Sequence, residues 1–129
     1  MVATVPEVRR EVRPRWYFRL PLASGMDGVL RARGGVLHRL LHVEGEAVVV
    51  RVAQPARDRV LFGARAASED AAEEGIARMR FALGVDDDLR PFHDRYRHDP
   101  LIGAAVRAHP ELRVRRRPEP FEALAWAVT

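Results

Sequence analysis

Cysteine, lysine and asparagine are absent from the 129 residues, and serine occurs only at Ser24 and Ser68. Without cysteine there is no disulfide, no thiolate nucleophile and no Cys-based zinc site. Without lysine no side chain can form a Schiff base. Neither serine sits in a nucleophile elbow, and Ser68, just ahead of an acidic pair, reads as a helix cap. No glycine-rich phosphate loop is present, since "GARAA" and "GMDG" fit no such template. No apolar run approaches the roughly 18 residues of a membrane span. The opening "MVATVPEVRREVRPRW" has no apolar core of a secretory signal. The reading is therefore a protein with no membrane partner, and the expected compartment is the cytoplasm.

What the chain has in excess is arginine, which supplies all 22 of its basic Lys+Arg positions. The net charge is +4 and the isoelectric point near 10.8, a balance that leans toward nucleic acid. Abundant Ala, Gly, Pro and Arg with no Lys or Asn is also what a GC-rich coding sequence produces, which weakens that lean. The densest basic stretch is "RVRRRP", and Arg115, Arg116 and Arg117 are its candidates for DNA-backbone contact through counterion release. The competing reading of the same stretch is a solvated linker.

Patterning predicts an α+β fold. Residues 1–14 read as a loose basic arm. In "WYFRLPL", Trp16, Phe18, Leu20 and Leu22 alternate as in a half-buried strand. "GMDGVLRARGG" reads as a short helix at best. "VLHRLLHV" and "EAVVVRVA" are strands joined by a Glu44-Gly45 turn, and "RVLFGA" is a third. "SEDAAEEGIARMRFALG" is the clearest helix, with Ser68 as cap, an apolar stripe of Ala72, Ile76, Met79 and Leu83, and Gly84 to end it. The expected order is β-α-β-β-β-α over residues 15–85. Short helices and an extended basic connector follow over residues 86–129.

Titratable clusters offer little. His93 and His98 in "HDRYRHD" are five apart, about 140° around a helix, and share no face. His38 and His42 share a strand face without a third ligand. Asp86, Asp87 and Asp88 read as capping residues, and so does Asp99. No metal, cofactor or catalytic residue is assigned.

The chain closes on "PEPFEALAWAVT", where Phe121, Leu124, Ala125 and Val128 recur at i, i+3, i+4 and i+7. Pro120 and Glu122 suit a helix start, yet the segment has no stop signal and no partner segment. Taken in order, "IARMRFALGVDDDL", "DPLIGAAVRAHPELR" and "PFEALAWAVT" resemble the N-terminal part of the DNA-3-methyladenine glycosylase II family, alkylation-repair enzymes with a helix-hairpin-helix. The resemblance covers residues 15 to 129. It implies a curved antiparallel sheet with helices on one side, similar in topology to the repeat of the TATA-binding protein. It also implies that the closing helix is the first of a catalytic domain absent from this chain. That domain carries the helix-hairpin-helix and the catalytic Asp, and Phe121, Leu124 and Val128 would face it. The implied partner is double-stranded DNA with alkylated bases, and the implied chemistry is base flipping and hydrolysis of the N-glycosidic bond. A first helix near Met26 to Arg33 would lie by the lesion pocket. The competing expectation is a self-standing, non-enzymatic module that binds nucleic acid or protein.

Overall fold

The computed structural model describes residues 7–25 and 28–129. Five strands, β1 (Glu7–Val12), β2 (Leu30–Arg33), β3 (Val36–Val43), β4 (Glu46–Ala56) and β5 (Arg59–Arg65), precede four helices. The helices are α1 (Glu69–Leu83), α2 (Arg90–Tyr96), α3 (Gly103–Ala108) and α4 (Pro120–Val128). The strands form one open sheet in the order β1-β5-β4-β3-β2, with every neighbouring pair antiparallel. The fold is α+β with α1 lying across one face of the sheet, against β1, β3, β4 and β5.

Turn chemistry sets the registers. Gly34 and Gly35 between β2 and β3, and Glu44 and Gly45 between β3 and β4, all have positive φ. Two consecutive left-handed residues make the primed turn whose twist matches antiparallel strands. The core alternates as period 2 requires: Leu37, Leu41 and Val43 of β3, Val48, Val50 and Val52 of β4, and Val60, Phe62 and Ala64 of β5 are buried. The stripe of α1 closes over them, with Ala72, Ile76, Met79 and Leu83 at 7% exposure or less. Each large member of that stripe contributes about 1.5–3 kcal/mol on burial.

Both ends of α1 are fixed. The Ser68 Oγ accepts from the Ala71 N–H at 3.2 Å, while the Glu46 carboxylate accepts from the Ser68 N–H and hydroxyl at 2.6 and 3.0 Å. The cap is thereby tied to the first residue of β4. Gly84 adopts φ 67° and ends the helix. Gly75 lets α1 approach the sheet, because a Cβ there would stand 2.6 Å from the Val48 Cγ1.

Three expectations are corrected. Residues 7–12 are not part of a loose arm; they form the edge strand β1 along β5, with Val8 and Val12 buried, while residues 1–6 lie outside the described part. Trp16–Leu22 forms no strand and belongs to no ladder. The Gln54 side-chain amide stands in for a neighbouring strand, accepting from the Leu20 N–H and donating to the Phe18 carbonyl, both at 2.8 Å. Gln54 and Pro55 lie where the register of β4 against β5 slips, between Ala53 and Ala56, as proline in a strand favours. Finally, the segment read as a first helix holds β2 at Leu30–Arg33, because the Gly34-Gly35 turn folds it back on β3; Met26 and Asp27 lie outside the described residues.

Candidate nucleic-acid interface and partner face

The connector, residues 111–119, runs between α3 and α4 without regular structure. Arg113, which the sequence reading did not single out, is its deepest anchor. Its guanidinium donates to the Gly84 carbonyl at 2.6 Å, to the Asp87 carbonyl at 3.1 Å and to the Tyr17 carbonyl. It also lies over the Phe18 ring, 5.3 Å from the centroid. Burial pulls its pKa down, and the nearby Asp87 charge opposes that pull. This one side chain joins the Trp16–Leu22 segment to the end of α1.

The three arginines nominated for phosphate contact have different surroundings. Arg116 pairs with Asp87 at 2.9 Å, donates to the Phe81 carbonyl at 3.1 Å and stacks on the Phe81 ring at 4.8 Å. Its backbone N–H also bonds the Ala82 carbonyl. Arg117 pairs with Glu122 at 3.1 Å. Of the three, only Arg115 is exposed with no ion pair to another described residue. The stretch is a structural strap with one unpaired guanidinium rather than a row of three.

The acidic run is likewise occupied. Asp86 takes a two-pronged bond from Arg80 at 2.8 Å, which raises the Arg80 pKa. Asp87 holds Arg116, and Asp88 accepts from the Arg90 N–H at 3.0 Å, ahead of α2. Asp99 accepts from the Leu101 and Ile102 N–H groups ahead of α3. The His93 ring meets the Trp16 ring at a 50° tilt, centroids 5.2 Å apart. Among the described residues no three His, Asp or Glu side chains are placed to hold a metal ion.

The closing helix is arranged the opposite way round from a core helix. Phe121 is 79% exposed, Leu124 61% and Val128 78%, and no residue of α4 is buried. What attaches the helix is its polar edge. Glu122 pairs with Arg39, and Glu119 accepts from the His42 N–H at 2.9 Å. Arg39 lies on the inward side of β3 between Leu37 and Leu41 and is 7% exposed, so Glu122 neutralises a charge inside the sheet–helix layer. The sequence reading missed this pair, although an arginine in the apolar phase of "VLHRLLHV" was its signal. Together Arg39 and Glu122 direct the apolar side of α4 outward.

No family model matches the chain, and no curated protein matches it. No described helix is long and apolar enough to cross a membrane.

Proposed function

We propose that this chain is the N-terminal, non-catalytic part of a DNA glycosylase of base-excision repair that removes alkylated purines of the 3-methyladenine type. The observation that carries the reading is the outward apolar face of α4, with Phe121, Leu124 and Val128 bare while Glu122 and Glu119 hold the opposite edge to the sheet. Such a face supports a partner that covers it, and the resemblance supplies one, a helical domain with the helix-hairpin-helix and the catalytic Asp. In this reading the sheet domain presents α4 as the first helix of that partner. Arg115 adds a phosphate contact beside it, and the setting is cytoplasmic.

The chemistry resides in the partner. A flipped alkylated base is a good leaving group because it carries positive charge, and a carboxylate stabilises the cationic sugar while water displaces the base. No carboxylate of this chain is assigned that role. The test is release of 3-methyladenine from alkylated duplex DNA by two polypeptides. One is the 129-residue chain, expected to be inactive; the other is the chain extended through the reading frame that follows codon 129, expected to be active. Excision by the short chain, or the lack of a helix-hairpin-helix in every downstream frame, would overturn the proposal.

A further inference from the structure

The sheet has a second face, which α1 does not cover, and its charge is one-sided. The registers place Arg31 opposite His38, His38 opposite Arg51, Arg51 opposite Gly63 and Gly63 opposite Arg9. Residues directly opposite in an antiparallel ladder share a face, and strands lie about 4.8 Å apart, so this row crosses the sheet over about 19 Å with arginines about 10 Å apart. Arg33, Arg59 and Arg65 belong to neighbouring positions on the same face. Among the described strand residues of this face only Glu7 and Glu11 stand against these arginines. Glu7 is held by Arg51, by Arg9 at 3.1 Å and by Arg65 at 3.7 Å, and Glu11 by Arg59 at 2.9 Å. One carboxylate among three guanidiniums leaves a positive surplus. The Glu7 carboxylate lies over Gly63, 3.4 Å from where a Cβ would stand, with the Arg51 guanidinium beside it at 4.0 Å.

The arginine excess of the whole sequence does not explain this distribution. On the helix side acids offset the arginines. Glu69, Asp70, Glu73 and Glu74 lie along α1, Glu73 pairs with Arg10, and Asp86 and Asp87 pair with Arg80 and Arg116. The apolar side chains exposed between the arginines, Leu40, Val49 and Leu61, are aliphatic. Among the described residues the row and its neighbours hold no Phe, Tyr or Trp, and its one ring, the His38 imidazole, stands between Arg31 and Arg51, so the face has no run of large rings on which to stack unpaired bases. Paired strands present what the arginines fit, a dense array of phosphates.

We infer that the helix-free face of the sheet binds the phosphate backbone of duplex DNA, without sequence preference. This adds a contact surface to the proposed function and does not rest on the catalytic partner, since every residue involved belongs to the strands. The experiment is fluorescence anisotropy of a labelled duplex with the 129-residue chain between roughly 50 and 200 mM salt. Combined Arg9→Ala, Arg33→Ala and Arg65→Ala should lower the slope of log K against log salt by about 2.7, close to 0.9 per lost phosphate contact. Glu7→Gln should tighten binding by freeing the guanidiniums it occupies. Should the triple variant fail to fold by circular dichroism, Arg33→Ala alone must still lower the slope by about 0.9; the Arg33 side chain has no hydrogen bond or ion pair among the described residues, and its backbone pairs with Val36. An unchanged slope would overturn the inference. So would absence of duplex binding at low salt, or binding of anionic phosphatidylserine vesicles in preference to the duplex. Excision activity is not read in this assay, so its failure leaves the repair-enzyme proposal standing, and failure of the excision assay leaves this face intact.

Discussion

Helices α1 and α4 carry the same kind of apolar stripe and meet opposite fates. In α1, Ala72, Ile76, Met79 and Leu83 are shut against the sheet, Glu69, Asp70 and Glu74 are exposed, and Glu73 pairs with Arg10 at the edge strand. In α4, Phe121, Leu124 and Val128 face outward, and the acidic Glu122 is the residue turned toward the sheet. Periodicity specifies that a helix has an apolar face but not what that face meets. The choice is made by the polar residues. Ser68 and Glu46 lock the start of α1 so that its stripe falls on Val48 and Val50. Arg39 draws Glu122 inward and so rotates the stripe of α4 away.

The largest expected effect tests the covered stripe. Ile76→Ala should cost about 3–4 kcal/mol in urea unfolding, through lost burial and a residual cavity, whereas Leu124→Ala in α4 should cost under about 0.5 kcal/mol. Equal losses at the two positions would erase the contrast between the helices.

The next test removes what turns α4. Glu122→Ala leaves the Arg39 guanidinium uncompensated at 7% exposure, and should cost about 3 kcal/mol, as breaking a buried pair does. Hydrogen exchange along residues 120–128 should rise with it. Replacing both partners, as Arg39→Leu with Glu122→Leu, should recover most of the loss, since a matched apolar pair needs no desolvated charge. If the double variant stays as unstable as the single, the pair is not what fixes the helix.

How legible this was in the sequence follows from the same contrast. The meander of β3, β4 and β5, the Glu44-Gly45 turn and both caps of α1 could be read because each is local: a period of two or 3.6, a turn dipeptide, a serine before acids. The misses are non-local. Residues 7–12 read as an arm because Arg9 and Arg10 mask Val8 and Val12, and only pairing with β5 makes the segment a strand. Trp16–Leu22 has strand alternation, but its hydrogen bonds go to the Gln54 side chain, which no pattern within the segment can reveal. The same holds at the candidate site. "RVRRRP" looks like a phosphate strip until Asp87 and Glu122, distant or set on another element, claim Arg116 and Arg117. The basic row across the sheet was hidden because its members come from different strands.

A smaller effect concerns the edge that the arm reading overlooked. Chiefly the hydrogen bond from Arg51, together with Arg9, holds the Glu7 carboxyl below its ordinary range. A group with a lowered folded pKa contributes its stability above the unfolded pKa, and that contribution is lost as pH falls through the folded value. Wild type should therefore lose stability on acidification below the ordinary glutamate range more steeply than Glu7→Gln, in thermal melts across that window. Parallel profiles would mean that the Glu7 cluster contributes nothing to holding β1, and that the strand is held by the buried Val8 and Val12 and its ladder with β5 alone.

The smallest effect on stability, and the sharpest on the comparison, belongs to the bare stripe itself. Combined Phe121→Gln, Leu124→Gln and Val128→Gln removes apolar groups that make no core contact in this chain, so unfolding free energy should move by less than about 0.5 kcal/mol. Solution behaviour should change instead. An outward row of Phe, Leu and Val beside the exposed Trp126 is an adhesive surface, so concentration-dependent association in sedimentation should fall in the variant. In the chain extended past codon 129 the same substitutions should be destabilising, because there the stripe would have a partner to lose. A marked loss of stability in the 129-residue chain would mean that α4 already spends its apolar face at home, and that α1 and α4 differ in degree rather than in kind.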